Sequence, residues 1–226
     1  MHRRRTSRRR TSLVLSAVAL AAAPALTACG SDAHPGAAAV VGGRRITVSQ
    51  LQDRVNEVRD AQRAATADSA QYKQAIARTG GLTRNTLHTM VLDRVMHRAA
   101  TDEGITVTRK EMQDMRAGLE KQAGGAKQLE VAWLQQYDVP PQRLTESLRT
   151  ELEAQKLSSA LGADMRTQQG QATFWKALAK ASKELNVDLN PRYGEWDVSH
   201  SRRVDAKTPW LREVTARASA AQRRTA

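Results

Sequence analysis

The chain has 226 residues, 40% apolar and 4% aromatic, with a formal charge of +13. That length and apolar content suffice to bury the core of one domain, and a composition rich in Ala, Gln, Arg, Leu and Glu favours helix over sheet, because unbranched side chains lose little rotamer freedom on a helix. Six of the 36 Lys and Arg residues fall at Arg3, Arg4, Arg5, Arg8, Arg9 and Arg10, so the rest of the chain carries 30 basic against 23 acidic residues, a net +7 that speaks for solubility and not for nucleic acid. A single cysteine excludes an internal disulfide framework.

The first element is a basic stretch, MHRRRTSRRRTS, followed by an apolar run from Leu13 to Ala25. The run is shorter than the roughly 20 residues that a spanning helix needs, and the whole has the shape of a secretory signal peptide. It ends in Leu26-Thr27-Ala28-Cys29, which resembles the lipobox of bacterial lipoproteins. That resemblance implies cleavage between Ala28 and Cys29. It also implies attachment of a diacylglyceryl group with palmitate-type chains to the Cys29 thiol, with a further N-acyl chain open. The paired arginines of SRRRTSL leave a twin-arginine export route open beside the general secretory one. The expected organisation is a signal peptide over 1–28, a lipidated flexible tether over 29–38, a helical domain over 39–197 and a loosely attached basic tail over 198–226. Two acyl chains would hold the domain at the cell membrane, on its extracytoplasmic face.

After the tether, Val40 and Val41 read as a short strand, Gly42-Gly43 as a two-residue turn needing positive φ, and Ile46 to Val48 as the return strand. Ser49 with Gln52 fits a capping box that opens a helix bearing Leu51, Val55 and Val58. Residues 64–82 break the period and suggest a loop with a short helical piece. Between Thr83 and Asp102, Leu87, Val91, Val95 and Ala99 recur every fourth residue, flanked by Met90, Leu92 and Met96, a stripe broad enough to be covered on more than one side. Gly104 ends that helix, and Thr108 with Glu111 caps a helix lined by Met112, Met115 and Leu119 that stops at Gly124-Gly125. A further helix carries Leu129, Trp133 and Tyr137. Pro140-Pro141 turn the chain into a helix with Leu144, Leu148, Leu152, Leu157 and Leu161, and the last amphipathic helix holds Phe174, Leu178, Ala181 and Leu185. NVDLNPRYGEWD reads as an extended return, and the tail from Ser199 could be helical around Trp210 to Arg217. The fold class is therefore mainly α, about six helices with a small β-hairpin near the N-terminus.

Three stretches carry a family resemblance. AAVVGGRRITVSQLQDRV, VLDRVMHRAATDEGITVTRKEM and WLQQYDVPPQRLTESLRTELEAQKL resemble, in that order, the opening strand-turn-helix, the leucine-rich helix with its capped successor, and the helix ending in Lys-Leu of the SurA N-terminal domain. The same domain occurs in PrsA-type lipoproteins. Gly42 replaces the usual Asn, and Asp138 stands where glycine is common. The resemblance implies a chaperone lobe that binds unfolded or newly exported polypeptides. Members with a prolyl isomerase insert it after the Lys-Leu helix, whereas only 16 residues separate Leu157 from Phe174 here, so no such catalysis is expected. The helix of Phe174 would be the returning helix that completes the lobe, and VDLNPRYGEWD the strand that joins the N-terminal hairpin.

No nucleophile elbow, phosphate-binding glycine loop or paired active-site acids stand out, and acylation would remove the one thiol, so no enzyme, cofactor or metal is expected. His88 and His97 point apart on their helix and His34 and His200 lie elsewhere, while Asp93 and His97 read as an i,i+4 surface hydrogen bond. The soft side chains of Met90, Met96, Met112 and Met115 are the candidate client-binding surface, with core packing as their competing role. Trp133, Tyr137, Phe174, Trp175, Tyr193 and Trp196 share that ambiguity. Arg44-Arg45, Arg202-Arg203 and Arg223-Arg224 read as solvated or as contacts to anionic lipid or cell-wall polymer, and the aromatics do not interleave with them as in nucleic-acid binding. The alternative function is a structural or adaptor lipoprotein that binds one folded partner or an anionic cell-wall polymer.

Overall fold

The structure, a computed structural model, describes residues 35–66, 69–78 and 81–206. The signal segment, Ala28, Cys29, His34 and the tail beyond residue 206, including Arg223-Arg224, lie outside the described residues. The chain enters through β1 (Ala37–Val41), which pairs antiparallel with β2 (Arg44–Thr47) around Gly42 and Gly43 at φ +59° and +71°. Both turn residues thus take the left-handed conformation that the sequence calls for. Ala37, Ala38 and Ala39 are all buried, so the folded chain begins two residues before the expected start at 39. Their small side chains let β1 lie as the central strand of a sheet ordered β2-β1-β3 and against the helices.

Helix α1 (Val48–Ala65) starts earlier than the Ser49 box predicts. Thr47 is its cap, with reciprocal bonds of 3.0 and 2.9 Å between Thr47 and Gln50. Thr47-x-x-Gln50 and Ser49-x-x-Gln52 both satisfy the pattern, and burial decides between them. Capping at Thr47 places Ile46 and Leu51, both fully buried, immediately before the cap and at the fourth helical position, where a hydrophobic staple fixes the entry of the chain. A short helix α2 (Ser69–Arg78) follows.

The centre of the domain is α3 (Leu82–Asp102). Its stripe of Leu87, Val91, Val95 and Ala99 packs into one cluster with Ile46, Leu51, Leu157, Phe174 and Leu178, and the helix contacts α1, β1 and two later helices. Gly104, at φ +67°, ends it as expected. Helix α4 (Arg109–Ala123) carries the predicted Thr108–Glu111 capping box and ends on Gly124 in the left-handed conformation. With α5 (Ala126–Tyr137) and α6 (Leu144–Ala160) it forms a second cluster around Met112, Leu129, Leu144 and Leu148. On α5 Leu129 joins this cluster and Leu134 a third one with Val58 and Leu82, while Tyr137 is 54% exposed, because the helix ends there and turns its last residue outward. Asp138, at φ +55°, caps α5 in the conformation for which glycine is the usual choice and which Asp tolerates. Helix α6 belongs to the first two clusters, with Leu148 in the second and Leu157 in the first.

Residues 161–167 link α6 to α7 (Gln168–Glu184), which packs on α3 and completes the first cluster with Phe174, Leu178 and Ala181. Gly170, near the start of α7, permits this tight link, since a Cβ there would lie 2.1 Å from the Asp164 carbonyl oxygen. The extended return differs from expectation in extent. Only β3 (Asp188–Leu189) joins the hairpin, pairing Ala39 with Leu189 and Val40 with Asp188. Pro191–Tyr193 then form a 3-10 turn, and β4 (Glu195–Asp197) pairs with β5 (Arg202–Val204). Pro191 cannot donate to a ladder, so the first sheet ends there. The tail therefore starts later than residue 198. Ser201 is buried and its hydroxyl lies 2.9 Å from that of Ser182, which also accepts from Trp196 Nε1.

Candidate functional site

Next to its buried stripe, α3 turns a second stripe of Thr86, Met90, Asp93, His97 and Thr101 toward a cleft. Thr86 and Thr101 are fifteen residues apart, so the stripe is about 22 Å long at 1.5 Å per residue. The larger part of the cleft has a volume of about 540 Å³. The tip of the first hairpin (Val41, Gly42, Arg44) and Leu185 bound it on one side, and Arg149, Thr150 and Glu153 of α6 on the other. A smaller cavity of about 60 Å³ shares Arg54, Met90, Asp93 and Glu146 with it and extends it to Val58, Tyr137, Val139 and Pro140. The two form a continuous groove, with apolar Val58, Tyr137, Val139 and Pro140 at one end and mostly charged side chains along the rest. An extended polypeptide rises about 3.3 Å per residue, so the groove matches a segment of roughly six or seven residues.

The charges of the groove are fixed by neighbours. Arg54 donates to both Glu146 oxygens at 3.0 and 3.3 Å, and Arg143 bridges Glu146 to Glu57 with bonds of 3.4, 2.8 and 2.7 Å. Hydrogen bonding from Arg143 holds the Glu57 carboxyl below its usual range. Asp93 is half-buried and accepts a 3.1 Å bond from the Thr150 hydroxyl. Burial nevertheless pushes its carboxyl up to about 6. His97 Nδ1 lies 3.0 Å from Oε1 of buried Glu153. The expected Asp93–His97 bond is thus replaced by two bonds across the groove, because α6 offers each side chain a closer partner than the next turn of α3. Arg94 donates to the carbonyls of Arg44 and Arg45 at 2.9 and 3.5 Å, tying α3 to the hairpin. Burial lowers its pKa, as does the charge of Arg44.

Of the four methionines singled out by sequence, only Met90 lines the groove. Met96 and Met112 are buried in separate clusters, and Met115 is half-buried against the second. They do not meet on one surface. Phe174 and Tyr193 are core residues, Trp133 donates to the Ser147 hydroxyl at 3.3 Å, and Trp175 is 41% exposed. His88 stands apart from His97, 5.6 Å from the Trp196 ring. Sequence reasoning missed Arg54, Arg94, Glu146, Arg149, Thr150 and Glu153. They lie on three elements, and the only available signal was a polar residue such as Glu153 within the leucine-rich helix.

No group of three or more His, Cys, Asp or Glu side chains that could hold a metal occurs among the described residues, and none of their helices is long and apolar enough to cross a membrane. A family model described as the SurA-like N-terminal domain matches residues 3–158. Comparison with curated proteins and with solved structures finds no match. The match ends within α6, so α7 and β3, which complete the core, lie beyond it.

Proposed function

Because the chain belongs to the SurA-like N-terminal domain family, we propose that it is a lipid-anchored, extracytoplasmic holdase that binds exported polypeptides while they are unfolded, without catalysis. The observation that carries this reading is the groove along α3, open, about as long as a short extended segment, and apolar at one end. Met90 at its middle and Tyr137 at one end present adaptable and flat apolar surface of a kind that accepts varied side chains. Contacts of this sort are individually weak, so a client is held in proportion to the concentration of exposed segments and leaves as it folds, with no ATP required. The lipobox at Leu26 to Cys29 supports the anchor, which would place the groove close to the membrane where exported chains emerge.

The mature protein is expected to suppress the light scattering of an aggregating denatured client at near-stoichiometric ratio. No effect at several-fold excess would contradict the reading. A pull-down from detergent extract separates it from an adaptor role, since a holdase recovers many unfolded clients and an adaptor one saturable partner. Intact-mass measurement of the mature N-terminus tests the anchor, and an unmodified Cys29 would remove it.

A further inference from the structure

The charges of the groove are not balanced. Its four acids are each bonded already: Glu146 by Arg54 and Arg143, Glu153 by His97, Asp93 by the Thr150 hydroxyl, and Asp138 by the Gln62 amide. Among the six lining arginines, Arg54 pairs with Glu146, Arg143 with Glu57 and Glu146, and Arg98 with Asp102 and Glu184 at 2.7 and 2.5 Å. The other three, Arg44, Arg94 and Arg149, have no carboxylate partner among the described residues. Arg44 and Arg149 are exposed, and Arg94 is half-buried with only backbone carbonyls as acceptors. Arg44 and Arg94 stand on the hairpin side of the cleft and Arg149 on the α6 side, so the unspent positive charge faces the space between the walls. A guanidinium in a partly water-excluded cleft binds a carboxylate more strongly than one on an open surface, and two parallel donors give the contact direction.

We propose that the groove selects extended segments carrying acidic side chains, with an Asp or Glu carboxylate seated between Arg94 and Arg149. This rests on the reading that the groove holds polypeptide, and it adds a substrate class to it. A client segment with an acidic centre and an apolar flank would match the charged part and the apolar end together. A basic segment would meet three unpaired arginines, so the same charges that recruit one class of client reject another.

The test uses the full mature chain and calorimetric titration with short unstructured peptides, identical except for two central residues, Glu-Glu, Gln-Gln or Lys-Lys. The Glu peptide is expected to bind about fivefold more tightly than the Gln peptide, the size of one or two partly exposed ion pairs, and to lose that advantage as salt is raised. Arg149→Glu, at an exposed position, should abolish the advantage and improve binding of the Lys peptide. Arg94→Gln should weaken the Glu peptide as well, with circular dichroism checking that the hairpin contact has not cost the fold. Equal binding of the Glu and Gln peptides overturns the acidic preference, and leaves the polypeptide-binding reading standing if an unfolded client displaces both. Failure of every peptide and of the client to bind overturns both. Saturable binding to phosphatidylglycerol vesicles that Arg149→Glu abolishes, without discrimination among the peptides, would assign the arginines to lipid instead and overturn the proposal.

Discussion

Asp93 shows how a single side chain in the groove ties stability to pH. Burial favours its neutral form, and nearby Glu146 and Glu153 add to that effect, while the Thr150 bond and Arg54 oppose it. The folded-state pKa is raised from 3.8 to about 6, so between those values the folded protein holds a proton that the unfolded chain has released. Stability from this group is full below about pH 4 and is lost as pH rises through 6. Asp93→Asn keeps an oxygen to accept from Thr150 and removes the buried charge. It is expected to raise stability by about 1–2 kcal/mol at pH 7.5, less than the whole shift implies because the site is only half-buried. The gain should vanish below pH 4, and denaturant unfolding at the two pH values measures it; an equal effect at both would contradict the account. The sequence could not reveal this, since Asp93 was legible only as a surface neighbour of His97. Gly170 is similar, as its necessity comes from the approach of Asp164 and not from a positive φ that a turn pattern announces.

At the level of elements, much was readable because local rules and burial agree. The Gly42-Gly43 turn, the Thr108–Glu111 box and the leucine stripes of α3 and α6 each combine a terminal signal with an apolar period. Reading failed where two local patterns competed, as at Thr47 and Ser49, or where a helix ended within its own apparent stripe, as at Tyr137. The long extended return was divided because Pro191 interrupts it, a breaker visible in the sequence but outweighed by its β-branched neighbours. The element with the largest consequence is α7, since it lies beyond the residues matched by the family and yet supplies Phe174, Leu178 and Ala181 to the core around α3. Leu178→Ala is therefore expected to cost about 2–5 kcal/mol, and a chain ended at Leu161 to lose cooperative thermal unfolding altogether. Circular dichroism melts check both, and a truncated chain that melts cooperatively at the parent temperature would show α7 to be dispensable.

For the whole molecule, the arrangement follows from α6 taking part in two clusters. Its ends are anchored on different cores, and between them Thr150 and Glu153 bond Asp93 and His97 of α3 in the cleft that Arg149 also lines. A mainly α class and the family were legible from the order of motifs, but the groove was not, because it is formed by residues of the hairpin, α1, α3 and α6 that no linear pattern connects. The methionines drew attention as adaptable surface, yet all four pack on cores and only Met90 also reaches the groove, whose larger part is lined mostly by charged residues. The central claim is that this groove is where client chains bind. Its most direct test is photo-cross-linking of an unfolded client to protein carrying a benzophenone side chain at one position at a time. Thr89 and Thr101, exposed on α3 beside the groove, should cross-link the client, and Lys110 on α4, which lines neither part of it, should not. Cross-linking at Lys110 equal to that at the two threonines would contradict the account.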